Sequence, residues 1–280
     1  MVSLVWASTE YLMWISQCWR WSMSMNSEKP QMTGWPTKLL AVNSDAKTVK
    51  GLGKGNITGI FYGAHGDLSG YEACAERTPA CNEMCLGKKG RAESYPAIMI
   101  SRINKTIMFF EHRDAWLGML FRDIDALVRK AQRENLTPCV RLNGSTGINF
   151  NRPLGSKRVN IFEMYSNLQF YDYTESIKQM RKYLRGELPS NYHLTYSRKE
   201  NNWTECEEVL DAGGNVAAVF GILKRDSMPD QYNGYKIIDA DQDDLRFLDP
   251  AGVICGLRPK GKRQRTERDR MLLNGMAIHV

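Results

Sequence analysis

Three cysteines, Cys74, Cys81 and Cys85, fall within the run YEACAERTPACNEMCLGKKGR, behind a strand-like segment (Ile57 to Tyr62) and a Gly-rich turn. Thiolates gathered on one loop are ligands for zinc or for an iron–sulfur cluster in a reducing compartment. Their number bears on the chemistry. A structural zinc closes with four protein ligands, whereas a catalytic metal keeps one position open. The spacing, Cys-x6-Cys-x3-Cys, is neither the Cys-x2-Cys pairing of zinc ribbons nor the usual ferredoxin run. Three readings follow: ordinary loop thiols, a zinc site completed by a distant histidine, or a cluster with one open iron. The other four cysteines, Cys18, Cys139, Cys206 and Cys255, are isolated and read as small buried hydrophobes. An odd set without a secreted-scaffold pattern points to reduced thiols and a cytoplasmic location.

Loops that carry such residues need strands to hold them. From Lys38 onward, short β-branched and aromatic runs alternate with helix-like stretches. Strands are expected at Ile57–Tyr62, Cys139–Leu142, Leu168–Tyr173, Tyr192–Tyr196, Val216–Phe220, Lys236–Ala240 and Val253–Leu257. Helices are expected at Ile98–Phe110, Asp114–Arg133, Ile161–Ser166, Ser176–Leu184 and Thr204–Ala212. The clearest is Asp114–Arg133, with Leu117, Leu120, Phe121, Ile124, Leu127 and Val128 recurring at threes and fours. Such alternation implies right-handed crossovers and an α/β fold with mostly parallel strands, closed fully or partly into a (β/α) barrel. An open doubly wound sheet is the competing arrangement.

In such barrels chemistry gathers at the C-terminal ends of the strands. The first strand is followed by His65, Asp67 and the three cysteines, the second by Asn143, Gly144 and Ser145. The third ends in Asp172-Tyr173-Thr174, the fourth in Ser197-Arg198 and the sixth in Asp239-Ala240-Asp241. Asp172, Arg198 and Asp239 are therefore the candidates for orienting a substrate. Each residue also has an ordinary reading: Asp172 as a helix cap, Asn143-Gly144 as a turn, His65 and His193 as structural histidines. Asp241, Asp243 and Asp244 could bind Mg²⁺ or simply line a solvated loop.

The chain has 280 residues, enough for one large domain, with ordinary proportions of apolar (42%) and charged (25%) residues. Its organisation reads as an extension over 1–37, a barrel-like domain over 38–257 and a basic tail over 258–280. The extension carries five of the seven tryptophans. It lacks a positive n-region, and its apolar stretch is too short and interrupted to span a bilayer. A membrane-surface helix, or a start at Met23, Met25 or Met32, would account for it equally. Between Leu257 and Arg270, seven basic residues against two acidic ones supply +5 of the net +7. Lys260, Lys262, Arg263 and Arg265 could grip a phosphate backbone, or the segment could be a solvated end.

Several segments together resemble one known family: KLLAVNSDAKTVKG, DLSGYEAC with its cysteines, RINKT, TPCVRLNGS, NLQFYDYT, NYHLTYSR, GGNVAAVF and DLRFLDPAGVICGLRPKGK. They are similar to the gene-product-eighty-eight-like proteins of phages and prophages, from about Lys38 to Lys262, which implies action in a bacterial host's cytoplasm. A more distant similarity is to radical S-adenosylmethionine enzymes, which have a partial barrel and three cysteines after the first strand. That resemblance implies a [4Fe–4S] cluster on Cys74, Cys81 and Cys85, with S-adenosylmethionine near Asn143, Gly144 and Ser145. The spacing here is longer than the Cys-x3-Cys-x2-Cys of those enzymes, no Gly-Gly-Glu follows the second strand, and Leu86 replaces the usual aromatic.

The leading expectation is thus a radical-SAM-like iron–sulfur enzyme acting on a nucleotide, nucleic acid or small metabolite. The alternative is a zinc-stabilised, non-catalytic nucleic-acid-binding protein that uses the basic tail.

Overall fold

The computed structural model describes residues 29–44, 46–85, 87, 95–260 and 264–280. Every element below lies in one compact unit, Gln31–Val280. The expectations for residues 1–28 fall outside the described residues, as do those for Leu86, Lys262 and Arg263.

Ten strands form one sheet: β1 (Leu40–Val42), β2 (Asn56–Phe61), β3 (Thr137–Arg141), β4 (Gln169–Thr174), β5 (Tyr192–Ser197), β6 (Asn215–Phe220), β7 (Gln231–Tyr232), β8 (Tyr235–Asp239), β9 (Ile254–Leu257) and β10 (Ala277–Ile278). Their order is β1-β2-β3-β4-β5-β6-β9-β8-β7, with β10 on β6. From β2 through β6, then β9 and β8, every pairing is parallel. These seven coincide within a residue or two with the strands expected from the sequence. Because β2 to β6 follow one another without reversal, right-handed crossovers place their helices on one face, and the doubly wound alternative is not adopted.

The sheet is mostly parallel but does not close. Antiparallel β1 occupies the free edge of β2, and β7 forms a hairpin with β8 at the opposite edge. No pairing joins β1 to β7, so the sheet stays open and the fully closed form of the expected barrel is not adopted.

The eight α-helices are α1 (Ala46–Leu52), α2 (Pro79–Glu83), α3 (Pro96–Glu111), α4 (Arg113–Glu134), α5 (Ile161–Met164), α6 (Ile177–Leu184), α7 (Trp203–Asp211) and α8 (Gln264–Leu273), counted among the described residues. α4 buries Trp116, Leu117, Leu120, Ile124, Leu127 and Ala131, one stripe at helical spacing. It stops at Asn135, whose left-handed backbone (φ 53°) lets its N–H reach Ala131 O.

The strands alternate between two apolar faces. Val140, Phe170, Tyr192, Leu194, Tyr196, Val216, Ala218 and Phe220 join the large core with the helices. Cys139, Tyr171, Tyr173, Ala217 and Cys255 face the other way, where Ala240, Leu245 and Phe247 of the β8–β9 connection cover them. Beneath that connection Arg141 pairs with Asp244 at 2.9 Å, and Arg246 with Asp243 and Asp249 at 3.2 and 3.1 Å. Tyr171 OH donates to the same Asp244 at 3.3 Å.

The basic segment after β9 carries a helix and a strand. β10 pairs with Val219 and Phe220, at the C-terminal end of β6, beyond the reach of β5, whose last partner is Ala217. Met271 and Ala277 bury against Met84, so this segment packs on the loop that bears the cysteines.

Candidate functional site

The cysteine loop leaves β2 at its C-terminal end and is tied down along its length. Ala73 N–H donates to Gly66 O at 2.8 Å, and Arg77 bridges Asp67 and Glu72. Lys199 Nζ, just past β5, reaches Glu76 O at 3.0 Å, and Thr78 Oγ1 donates to Glu200 at 2.7 Å. Thr78 also caps α2 by accepting from Cys81 N–H, which fixes the backbone of the second cysteine.

The three thiols are each half-buried and outside any disulfide. Cys74 Sγ accepts from Gly66 N–H at 3.4 Å, and Cys85 Sγ accepts from Gly87 N–H at 3.3 Å. Cys81 Sγ donates to Glu175 Oε1 at 3.3 Å. Burial pushes the Cys74 thiol up to about 11, with Cys85 and Glu175 adding to the shift and the Gly66 N–H opposing it. Cys81 is raised as well, first by burial, then by Glu175, Cys85 and Cys74. Both shifts favour the neutral thiol at Cys74 and Cys81. Beside them, Arg102 of α3 lies over the Tyr62 ring (5.2 Å) and donates to Gly87 O at 2.8 Å.

The second expected group, Asn143-Gly144-Ser145, is next to this loop and braces it. Ser145 Oγ donates to Gly63 O at 2.7 Å, Gly144 N–H to Phe61 O at 3.0 Å, and Gly147 N–H to Ala73 O at 2.8 Å. A Cβ at Gly144 would lie 2.5 Å from Ile60 Cγ2 and 2.8 Å from Phe61 O, so the close approach requires glycine. Asn143 Oδ1 accepts from Thr146 Oγ1 and Ile148 N–H, and its Nδ2 donates to Ile148 O and Asp172.

The three substrate-orienting candidates are not brought together. Asp172 has the parity of Phe170, so it lies on the helix-packed face. There it accepts from Asn143 N–H (2.7 Å), Asn143 Nδ2 (3.2 Å) and Tyr192 OH (3.1 Å), and burial pushes its carboxyl up to about 7. Arg198 donates to Gly275 O at 2.5 Å and holds the turn before β10. Asp239 pairs with Arg258 at 2.9 Å. The expected acidic cluster is likewise filled by cations, with Asp241 taking Lys47 and Lys260, Asp243 taking Lys54 and Arg246, and Asp244 taking Arg141. Lys260 is therefore committed to Asp241, while Arg265 is exposed on α8.

Among the described residues, no three His, Cys, Asp or Glu side chains form a ready-made cage for a metal ion. The donor types nonetheless fit a metal: three thiols of one loop and a carboxylate already touching one of them. The fit to S-adenosylmethionine is different, because the polar groups of Asn143, Gly144 and Ser145 are spent on the loop and on Asp172. Sequence reasoning missed Glu175 and Arg102. Glu175 could have been found by extending the rim one residue beyond Thr174; Arg102 carries no such signal.

Fold and site together define an α/β protein with an open, singly wound sheet and a thiol-bearing loop at the C-terminal rim. Residues 37–271 match the family model described as Gene product 88, and the chain belongs to that phage-type family. No curated protein and no solved structure matches it. No helix among the described residues is long and apolar enough to cross a membrane.

Proposed function

We propose that this protein is an iron–sulfur enzyme of the phage-infected cytoplasm, with the cluster held by Cys74, Cys81 and Cys85. One observation supports the reading: three half-buried thiols sit on the single loop that follows the first parallel strand, on the rim where α/β sheets place their chemistry. A bound cluster supplies an electron or a Lewis-acidic iron at that rim.

The chain's own contribution is to position and to shield. Gly66 and Gly87 N–H groups direct the Cys74 and Cys85 sulfurs, and such hydrogen bonds to sulfur tune a cluster's potential. Arg102 and Arg198 each keep a buried Nε–H without a protein acceptor. Both lie beside C-terminal strand ends, so an anionic substrate, a nucleotide or a small carboxylated or phosphorylated metabolite, suits the rim. The C-terminal segment packs on the loop through Met271 and Ala277, which cover Met84.

The test is anaerobic purification and reconstitution of the full chain and of a Cys74/Cys81/Cys85→Ala triple variant, with iron and sulfide analysis and a visible spectrum. About four irons per chain, lost in the variant, is the expected result. A colourless protein without iron ends the proposal; one zinc per chain supports the structural-zinc alternative instead.

A further inference from the structure

The face of the sheet turned away from the main helices is covered only in part. Cys139 and Tyr171 are fully buried there, in contact with Leu245 and Phe247 of the β8–β9 connection. Nearer the C-terminal strand ends, Arg141, Tyr173, Glu175 and Ser197 share that parity but are only half-buried, so the cover stops and the face opens. Tyr62 joins them, because it continues the parity of Thr58, which meets Cys139 Sγ at 3.2 Å.

Arg141 stands on this open floor as the last residue of β3, with 16% of its side chain exposed. Its guanidinium lies over the Tyr173 ring, 4.6 Å from the centroid, and its Nη1 donates to Asp244 Oδ2 at 2.9 Å. Ring and carboxylate thus fix the guanidinium plane from one face and one corner. The remaining edge, Nε with Nη2, is the one a carboxylate or phosphate engages side-on through two parallel N–H···O bonds. Among the described residues that edge meets no acceptor, and its Nε is shut off from solvent as well. Arg246 and Arg258, by contrast, engage both Nη groups, the first on Asp243 and Asp249, the second on Asp239 and the Asp226 carbonyl. Arg102 brings a second guanidinium to the floor, 5.2 Å from the Tyr62 centroid, with Nη1 on Gly87 O and Nε again lacking an acceptor.

We propose that this floor is an oxyanion seat, in which the Nε–Nη2 edge of Arg141 takes a phosphate or carboxylate group of a small metabolite. Arg102, at the Tyr62 ring, adds a second positive charge to the seat. The inference deepens the reading of an anionic substrate at the rim, and it needs no metal: the anion rests on the sheet itself, below the cysteine loop. Lysine cannot replace Arg141 there. An ammonium can neutralise Asp244, but it has no planar pair of donors for two oxygens.

The experiment is isothermal titration calorimetry of the full chain in chloride buffer with three probes: inorganic phosphate, adenosine monophosphate and succinate. The expected result is saturable one-to-one binding, with the tighter probe naming the oxyanion as phosphate or carboxylate. In Arg141→Lys the Kd rises at least about tenfold. Thermal melts without probe verify that this variant folds. Should it not fold, Tyr173→Leu takes its place; loss of the ring beneath the guanidinium raises the Kd about two- to fivefold. No saturable binding of any probe overturns the seat. Binding that Arg141→Lys weakens less than tenfold, or that loss of the ring leaves unchanged, overturns it too, because it reports only the general attraction of a cationic chain. Iron analysis of reconstituted protein keeps the two proposals apart. An iron-free chain that binds the oxyanion ends the cluster and keeps the seat; a cluster-loaded chain that binds no probe does the reverse.

Discussion

Asp172 makes a sharp prediction because its burial has a sign that can be read in a titration. The residue is 1% exposed and holds the Asn143 turn through three hydrogen bonds. Its carboxyl is pushed up to about 7 from an ordinary 3.8, chiefly by burial. Between those two values the folded chain binds this proton more tightly than the unfolded chain. Stability from this group is therefore fully present below the unfolded value and is lost as pH rises toward 7, then flat above it. Three pH units at 1.36 kcal/mol each give about 4 kcal/mol across the window. Asp172→Asn removes the titration. It also sets an amide against Asn143 Nδ2, a roughly pH-independent penalty of about 1–3 kcal/mol for one unmatched donor. Urea unfolding of both proteins at half-unit steps from about pH 4 to pH 8 isolates the group, since all other titrations cancel in the difference. The expected gap between the two stabilities shifts by about 4 kcal/mol in the variant's favour as pH rises. A gap constant to within about 1 kcal/mol would show that the three donors hold the carboxylate charged, and the burial argument would be refuted.

Three further outcomes follow from the packing. Arg141→Met leaves Asp244 buried without its cation and should cost about 3–5 kcal/mol by denaturant unfolding, while adding Asp244→Asn should restore most of it. Gly144→Ala forces a methyl into Ile60 and the Phe61 carbonyl. It should lose about 1–3 kcal/mol and hasten the reaction of the Cys74 thiol with a disulfide reagent, read by absorbance. Trp116→Ala, which empties a fully buried site between Phe61, Phe109 and Phe150, should cost about 3–5 kcal/mol and shift the thermal midpoint accordingly.

The seven parallel strands were legible because each is a compact β-branched or aromatic run bounded by polar residues, long enough to show a pattern. β1, β7 and β10 were not, since three or two residues carry no period. Those short strands form the two edges of the sheet, and because β1 and β7 do not pair with each other the sheet stays open. The cysteines were legible from type and position. Asp239 ends β8, Arg198 follows β5 and Asp172 lies inside β4, and position alone did not fix where their side chains turn. For Asp172 the answer lay in the alternation, since it shares the parity of Phe170 and must face the helices. For Arg198 and Asp239 it lay in long-range partners, Gly275 and Arg258, that no local pattern announces. Glu175 has the reverse problem, being one unremarkable carboxylate made notable only by a thiol 94 positions earlier.

The placement of β10 also sets an order of events during synthesis. The loop bearing Cys74, Cys81 and Cys85 leaves the ribosome about 190 residues before Ala277 and Ile278, which at typical elongation rates is about 10–40 s. Until that strand docks on β6, Met84 of the cysteine loop lacks the cover that Met271 and Ala277 give it. After docking, Met271 and Ala277 close over Met84, and the loop takes its finished packing only when the chain is almost complete.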